Sequence, residues 1–209
     1  MLVVMNMSTG KIEKESVPEF GAFEDEVLNA EWLQPALQLG LQPVVHRDPR
    51  GFFLETYHHQ RYTAAGIPDV FVQDNHSKSV RGTLRGLHLQ RTKLQAKLVR
   101  VILGEILDVA VDVRVGSPTF GQWTSARLSD ENAWQMYVPG GFAHGFAVIS
   151  DVAEVEYKCS AFYDAADEMA IKFDDPAIGV EWPVTAPILS KRDQEAKLLA
   201  DVMSQLPRL

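Results

Sequence analysis

The chain has 209 residues and a net charge of −8 at pH 7, which argues against a nucleic-acid-binding surface. Its length fits one folded domain, and its single cysteine, Cys159, cannot form an internal disulfide. This favours a reducing, cytoplasmic location. No signal peptide is expected, because the apolar opening Met1–Met5 is cut off by Asn6 and lacks a basic n-region and a longer apolar core. No membrane partner is expected, because no segment reaches the roughly 20 apolar residues that span a bilayer.

Residues 1–40 are predicted to form an N-terminal extension or arm. Their composition is mixed, and weak helical periodicity runs through Val27, Leu28, Trp32 and Leu37. From Leu41 the chain changes to short apolar or alternating runs separated by Gly, Pro, Asn and Asp. We therefore expect one antiparallel β domain, a barrel or sandwich, over residues 41–209.

The clearest predicted strand covers residues 108–114, where Val109, Val111 and Val113 alternate with polar residues. This period of two predicts a core face and a polar face. Further strands are predicted at 99–103, 124–128, 135–138, 142–149 and 152–160. The C-terminus alone has a clear helical pattern, with Ser190 as the cap and Ala196, Leu199, Val202, Met203 and Leu206 at helical spacing.

One stretch of the acidic chain is basic. Residues 75–104 contain no Asp or Glu and seven basic residues, Lys78, Arg81, Arg85, Arg91, Lys93, Lys97 and Arg100. A local positive cluster on an acidic protein predicts a small anionic ligand, with phosphate the natural candidate.

His88 lies within this basic stretch and is the first candidate for a general base. A lone strand histidine is more often structural, and the basic neighbours are what favour catalysis. Arg85 and His88 are three residues apart, so a regular strand would place them on opposite faces. If both face inward, a bulge is required, and Gly86 is its expected position.

Two further residues have both a functional and a structural interpretation. Lys97 precedes an apolar pair and could stabilise an enolate or a phosphate, although most lysines lie at the surface. Tyr157 alternates with Val155 and Cys159, a pattern typical of core, but a tyrosine inside a barrel is also a plausible acid. The sequence alone does not decide between these interpretations.

His144 follows a turn and begins a predicted strand, where a side chain can reach a barrel mouth. A metal site is rejected, because His88 has no closely spaced partner and the adjacent His58 and His59 would point to opposite faces of a strand. Asp193 stands three residues after Ser190, as in a capping box, and could equally orient His88. Spacing does not establish either role.

Seven segments resemble, in order, one family of enzymes. They are residues 50–55 (RGFFLE), 71–77 (FVQDNHS), 84–88 (LRGLH), 97–100 (KLVR), 117–121 (SPTFG), 142–146 (FAHGF) and 174–179 (DDPAIG). Across residues 41–200 the chain resembles the dTDP-4-dehydrorhamnose 3,5-epimerases and related epimerases of nucleotide-linked 4-keto-6-deoxy sugars. Residues 1–40 have little counterpart in that family.

The resemblance implies a mainly β fold, a cupin-type antiparallel β jelly roll with a short C-terminal helix, acting as a homodimer without metal or organic cofactor. The catalytic residues it implies are His88 as base, Asp193 as its partner, Lys97 at the enolate and Tyr157 as acid. The substrate-binding residues it implies are Arg50, Phe53, Glu55, Gln73, Asn75, Arg85, His144, Tyr163 and Arg192, some of them shared across the dimer.

The implied reaction converts dTDP-4-dehydro-6-deoxy-D-glucose to dTDP-4-dehydro-L-rhamnose by proton removal and opposite-face reprotonation at C3 and C5. Gly140, Leu89 and Phe162 depart from residues common in the family, which leaves open whether one centre or both are inverted. The alternatives are a single-centre 3- or 5-epimerase, a 3,4-ketoisomerase, and a non-catalytic module that binds a nucleotide sugar.

Overall fold

Two β-sheets form the body of the protein in a computed structural model that describes residues 3–6, 11–13 and 39–209. The strands are β1 (Val3–Asn6), β2 (Lys11–Glu13), β3 (Leu39–Gln42), β4 (Val45–Asp48), β5 (Gly51–Leu54), β6 (Gln73–Val80), β7 (Leu84–Gln90), β8 (Lys97–Leu103), β9 (Glu105–Asp112), β10 (Trp123–Ser129), β11 (Gln135–Val138), β12 (Phe142–Val148), β13 (Val152–Cys159) and β14 (Glu168–Ala170). The helices are α1 (His59–Ala64), α2 (Lys191–Gln194) and α3 (Leu199–Val202), followed by a 3₁₀ turn at Met203–Gln205.

The sheets have the layered arrangement expected for a cupin-like jelly roll. One sheet has the strand order β2-β1-β3-β11-β8-β13-β6, and the other has the order β10-β9-β12-β7-β14. Strands β4 and β5 form a separate hairpin. Apart from the parallel pair β1 and β3, the strand pairs within these sheets are antiparallel. The predicted mainly β fold is confirmed.

The core has three layers. Apolar side chains of both sheets meet between them, including Val99, Val155, Phe142 and Phe146. Helix α1 packs through Tyr62 on the outer face of the seven-stranded sheet, and the C-terminal helices cover the outer face of the five-stranded sheet. Helix α1 was not predicted, because its six residues are too few for a clear helical period.

Strand β9 corrects the prediction of one core face and one polar face. Val109, Val111 and Val113 face the C-terminal helices, whereas the supposedly polar face points between the sheets, where Asp108 and Ala110 are fully buried. Both faces of β9 are covered, one by the seven-stranded sheet and the other by the C-terminal helices.

The C-terminal helical pattern is divided among three short turns. Ser190 caps α2 as predicted, but α2 ends at Gln194. The carbonyl of Lys197 then accepts a hydrogen bond from the amide of Lys172, outside any helix. The helical periodicity of residues 14–38 lies outside the described residues. The predicted boundary at 40/41 falls within β3.

Candidate active site

A cavity of about 660 Å³ opens between the two sheets. Ten of the predicted site residues line it: Gln73, Asn75, Arg85, His88, Lys97, His144, Tyr157, Tyr163, Arg192 and Asp193. They come from five strands, one loop and α2. Gln73 and Asp193, 120 positions apart in the sequence, therefore line the same cavity. The cavity is the natural candidate for a substrate site.

His88 and Asp193 form a hydrogen-bonded pair in this cavity. His88 Nε2 lies 2.5 Å from Asp193 Oδ1, and the second carboxylate oxygen accepts a hydrogen bond of 2.8 Å from the Ser190 hydroxyl. Ser190 Oγ in turn accepts from the amide of Asp193 at 3.2 Å. Asp193 therefore takes part in the helix cap and also orients His88, so the two interpretations of this residue are compatible.

The bulge expected at Gly86 is present. Opposite β7, strand β12 places two residue steps, from His144 to Phe146, against the three steps from His88 to Arg85. Gly86 has φ +133°, and a Cβ there would lie 2.5 Å from the Gly145 Cα. A glycine is therefore required, and the extra residue allows both Arg85 and His88 to line the cavity.

The surroundings of His88 suit a general base. Burial lowers its pKa, and the positive charges of Arg192 and Lys97 lower it further, against the opposing effect of Asp193. Burial would raise the pKa of Asp193, but hydrogen bonds from His88 and Ser190 outweigh it, and the carboxyl pKa lies below its usual range. At neutral pH the imidazole is neutral, its Nε2–H donates to the carboxylate, and Nδ1 is left unprotonated.

Lys97 begins β8 and is buried, so the surface-lysine interpretation is wrong. Its ammonium donates to the backbone carbonyl of His88 at 3.4 Å, and within residues 41–209 it has no ion pair with a carboxylate. Burial lowers its pKa. A buried ammonium without a carboxylate partner favours the binding of a negatively charged group in the cavity.

Tyr157 lies on β13, in the sheet opposite His88. It is partly buried, packs against the core between the sheets and lines the cavity. Burial raises the pKa of its hydroxyl above 10.0, so the phenol keeps its proton at neutral pH. A protonated phenol, which could act as an acid, therefore lies on the wall of the cavity that faces His88.

A second histidine–carboxylate pair lies beside the first. His144 is the cross-strand neighbour of His88, and its Nε2 is 2.7 Å from Asp108 Oδ1. Asp108 is fully buried, and its Oδ2 has no hydrogen-bond partner within the described chain. Asp108 was missed in the sequence, because its alternation with valines suggested a polar outer face.

Arg192, Tyr163 and Glu168 form a connected group at the edge of the cavity. Arg192 Nη1 donates to Glu168 Oε2, and the Tyr163 hydroxyl donates to the same oxygen at 2.7 Å. Arg192 Nη2 lies 3.3 Å from His88 Nδ1 and 3.1 Å from His88 Nε2. Glu168 also lines the cavity; no motif or spacing in the sequence identified it.

Gln73 and Asn75 project from β6 at the far side of the cavity. Gln73 Nε2 donates to Asn75 Oδ1 at 3.0 Å, and Gln73 Oε1 accepts from the amide of Tyr163 at 2.9 Å. The two amide side chains therefore hold each other in place next to the backbone of Tyr163.

Arg50, Phe53 and Glu55 do not line the cavity of their own chain. Arg50 pairs with Asp48 at 2.6 Å, and Glu55 pairs with Arg61 at 2.9 Å. Phe53 lies on the β4–β5 hairpin with 70% of its surface exposed. The structure therefore does not bring these three predicted nucleotide-binding residues to the site within one chain.

The basic stretch contributes less to the cavity than its charge suggested. Five of its seven cations pair with carboxylates contributed by other segments: Lys78 with Glu154, Arg81 with Asp151, Arg91 with Asp167, Lys93 with Asp164 and Arg100 with Glu156. Arg85 donates to Ser79 Oγ at 3.1 Å and has no such ion pair among residues 41–209. Only Arg85 and Lys97 therefore remain as uncompensated cations of this stretch.

A neutral imidazole and a protonated phenol on facing walls of a jelly-roll cavity are the groups that an isomerase acting by proton transfer requires. The family model for dTDP-4-dehydrorhamnose 3,5-epimerase matches residues 38–201. The chain belongs to this family.

Named relatives agree with the family assignment. A dTDP-4-dehydrorhamnose 3,5-epimerase of Pseudomonas aeruginosa is 52% identical over 162 residues, 77% of this chain and 90% of the relative. The structure of a Legionella pneumophila dTDP-6-deoxy-D-glucose-3,5-epimerase, in complex with dTDP-4-keto-L-rhamnose, has a TM-score of 0.78 at 48% identity, covering 80% of this chain and 91% of that one. A dTDP-4-dehydrorhamnose 3-epimerase of Streptomyces niveus is 44% identical, covering 77% of this chain and 79% of the relative.

In the described part of the chain, no three His, Cys, Asp or Glu side chains converge as metal ligands do. The described helices are all too short or too polar to cross a membrane.

Proposed function

We propose that the protein converts dTDP-4-dehydro-6-deoxy-D-glucose to dTDP-4-dehydro-L-rhamnose, inverting C3 and C5. The observation that carries this proposal is the His88–Asp193 pair on one wall of the cavity and Tyr157 on the facing wall. Inversion at carbon requires proton removal on one face of the sugar ring and proton delivery on the other. The two sheets supply these groups from opposite sides.

The proposed reaction begins at a carbon next to the C4 ketone, which makes the C3 and C5 hydrogens acidic. His88 takes the proton through Nδ1, and Asp193 stabilises the imidazolium that forms. The electron pair of the broken C–H bond moves to the C4 oxygen, where the Lys97 ammonium stabilises the enolate. Tyr157 then delivers its proton to the opposite face of the same carbon. Solvent exchange returns His88 and Tyr157 to their starting states, and the second centre follows after the ring shifts.

The remaining cavity residues are proposed to bind the nucleotide. Arg85, His144 and Arg192 supply donors for the sugar and diphosphate, and Gln73 and Asn75 supply amides for the nucleotide, with Tyr163 flanking the substrate. We propose that Arg50, Phe53 and Glu55 reach the cavity of a second copy in a homodimer, because they do not line the cavity of their own chain and Phe53 is largely exposed.

Complementation tests the dimer proposal. A mixture of His88→Asn and Arg50→Ala chains, unfolded and refolded together, should regain turnover that neither variant shows alone. Analytical ultracentrifugation should show a dimer. Turnover that stays absent in a refolded dimeric mixture would contradict the sharing of the hairpin.

We also propose a cellular location and a domain boundary for the enzyme. The enzyme is proposed to act in the cytoplasm, supported by the one buried free thiol, Cys159. Residues 1–40 are proposed to be an extension of a catalytic domain at 41–209, supported by the family match that begins at residue 38.

The reaction is tested by NMR of dTDP-4-dehydro-6-deoxy-D-glucose in deuterated water, with product configuration determined after reductive trapping. Deuterium and inversion at both C3 and C5 are expected. Inversion at a single centre would instead establish a mono-epimerase, which the Streptomyces niveus relative makes the second candidate. A carbonyl moved to C3 would indicate a ketoisomerase, and binding without label would indicate a non-catalytic module.

A further inference from the structure

The side chain of Gln90 binds the backbone of the segment 161–164, which carries Tyr163. Its Nε2 donates to the carbonyl of Asp164 at 3.0 Å, and its Oε1 accepts from the amide of the same residue at 3.2 Å. Gln90 is buried, with 4% of its surface exposed, and it lines the cavity. A buried side-chain amide that uses both its donor and its acceptor on one residue fixes the backbone there.

Two further glutamines hold the same segment from other parts of the chain. Gln73 Oε1, on β6, accepts from the amide of Tyr163 at 2.9 Å. Gln95 Nε2, in the loop between β7 and β8, donates to the carbonyl of Ala161 at 2.6 Å. Both side chains also line the cavity. Together with Gln90 they form a glutamine cradle, which makes four hydrogen bonds to the backbone of this segment.

Apolar burial contributes little to the position of the segment 161–164. Phe162 and Tyr163 have 67% and 52% of their surfaces exposed. The ion pair between Lys93 and Asp164 is also partly exposed, so it adds little. A segment with few buried apolar contacts opens easily unless its backbone is held. The hydrogen bonds of the glutamine cradle therefore restrain Tyr163 where packing does not.

Gln90 connects this segment to the strand of the proposed base. His88 and Gln90 are two residues apart on β7, so their side chains leave the same face of the strand, and both line the cavity. The pairing of β7 with β14 is regular over these residues. One strand therefore carries His88 and also holds the backbone beside Tyr163, which fixes the gap between the imidazole and the tyrosine ring.

The proposed reaction makes the width of this gap important. C3 and C5 must reach the same base in turn, so the sugar ring takes two positions in one cavity. A displacement of about 1 Å can cost about 10²-fold in rate, and pocket shape decides which carbon meets the base. A fixed tyrosine ring limits the sugar to positions that react, whereas a mobile one admits unproductive positions.

We propose that the glutamine cradle determines whether the second centre is inverted, because it holds Tyr163 where the shifted sugar ring presents its second carbon to His88. This inference rests on the proposed function for the ligand and the reaction. The three glutamines are positioning residues that act through Tyr163. Gln73 is also proposed to bind the nucleotide, so Gln90 and Gln95 are the residues to change.

Gln90→Glu is the first test. It keeps the volume and the acceptor of the side chain, but a carboxylate oxygen that repels the Asp164 carbonyl replaces the donor. Hydrogen exchange of the full chain, measured by mass spectrometry, should be roughly tenfold faster in residues 161–164, as expected for the loss of one hydrogen bond.

The functional readout is turnover of dTDP-4-dehydro-6-deoxy-D-glucose in deuterated water, with label and configuration determined at C3 and C5. In Gln90→Glu, the fraction of product inverted at both centres should fall, whereas the first inversion should retain most of its rate. The KM should rise by roughly tenfold, because the segment must be ordered when substrate binds.

Gln95→Glu removes the single hydrogen bond to Ala161. It should change the same quantities in the same direction but by less, and it tests the proposal if circular dichroism shows that Gln90→Glu does not fold. Gln122→Glu is the matched control, because it makes the same chemical change at an exposed position outside the cavity. It should behave as wild type.

The outcomes separate this proposal from the proposed function. Wild type that inverts both centres, with variants that give the same fraction of doubly inverted product, would overturn the role of the cradle and leave the function standing. Equal losses of the first and second inversion, or unchanged exchange in residues 161–164, would also overturn it. Wild type that inverts one centre or none would overturn the proposed reaction together with the role of the cradle in it.

Discussion

The two walls of the cavity differ in whether their ionisable side chains have carboxylate partners. On the five-stranded sheet, His88 and His144 each face a buried carboxylate, Asp193 or Asp108. On the seven-stranded sheet, Lys97 and Tyr157 have no carboxylate partner within residues 41–209. Burial there lowers the pKa of the ammonium and raises that of the phenol. The five-stranded sheet can therefore stabilise a protonated imidazole. The seven-stranded sheet presents an ammonium and a phenol, which can donate a hydrogen bond or a proton.

The two histidines on the five-stranded sheet differ in their burial and in the hydrogen bonds of their carboxylate partners. His88 is the more exposed of the pair, and both oxygens of its carboxylate are engaged, one by His88 and one by Ser190. His144 is more deeply buried, and one oxygen of Asp108 has no partner in the described chain. The same residue types therefore give a histidine open to the cavity in one case and a more deeply buried histidine in the other, which agrees with the proposed roles of base and binding residue.

The largest effect is expected from His88→Asn. Loss of the base should lower kcat by about 10³-fold, with little change in the affinity for dTDP measured by calorimetry. His144→Asn is the matched control and should raise KM more than it lowers kcat. Equal losses of kcat in the two variants would contradict the assignment of the base to His88.

Tyr157→Phe tests the opposite wall and should have the next largest effect. Without the acid, inversion should fall by about 10²-fold, while His88 should still exchange the substrate hydrogen with deuterated solvent on its own face. NMR separates exchange from inversion in one sample. Tyr163→Phe should retain inversion. If exchange and inversion disappear together in Tyr157→Phe, the division of labour between the walls is wrong.

Asp193→Asn should lower kcat by about 10- to 100-fold, because an amide no longer stabilises the imidazolium and can favour the wrong tautomer. Asp108→Asn should act mainly on KM, through His144. Steady-state kinetics with both variants distinguishes the two pairs. A larger loss of kcat in Asp108→Asn than in Asp193→Asn would contradict the assignment of the base to the His88–Asp193 pair.

The pH dependence of kcat/KM should report the neutral form of His88 in the free enzyme. Protonation of His88 inactivates the base, and the imidazole pKa lies below its ordinary value of 6.5 because of burial and the nearby cations. Activity should therefore be retained at pH 6.5 and be lost only at lower pH. Arg192→Gln removes one of these cations and should move the acid limb to higher pH. An acid limb above pH 6.5 in the wild type would contradict this environment.

Ser190→Ala should have the smallest effect. It removes the helix cap and one hydrogen bond to Asp193, so the free energy of unfolding should fall by about 1 kcal/mol, with a loss of kcat of only a few-fold. Ser204→Ala, at an exposed position of the C-terminal turn, is the control and should change neither quantity. Urea denaturation and kinetics measure both. An unchanged unfolding free energy in Ser190→Ala would argue against the cap.

The parts of the site that could be predicted from sequence are those with a local signal. Gly86 marked the bulge that turns Arg85 and His88 to one side, and the spacing of Ser190 and Asp193 marked a helix start. The family resemblance then named Lys97, Tyr157 and Arg192, which the structure brings to the same cavity. Their presence there supports the proposed roles, which the variants above test.

The missed features depend on distant partners. Asp108 looked like part of a polar face, because nothing local reveals that the C-terminal helices cover the other side of β9. Glu168 lies on a three-residue strand without a motif. The basic stretch looked free because its acidic partners lie in other segments, such as Glu154 and Glu156 on β13. Charge patterns in sequence do not show such pairing.

The position of Asp193 has a consequence for how the enzyme becomes active during synthesis. The barrel strands lie before residue 171, whereas Asp193 and Arg192 belong to the segment that closes over the five-stranded sheet. A ribosome-bound chain can therefore assemble both sheets while His88 still lacks its carboxylate. If His88 and Asp193 have the proposed roles, catalytic competence arrives only when the last part of the chain is released, and a truncated product would contain both sheets without the carboxylate partner of the base.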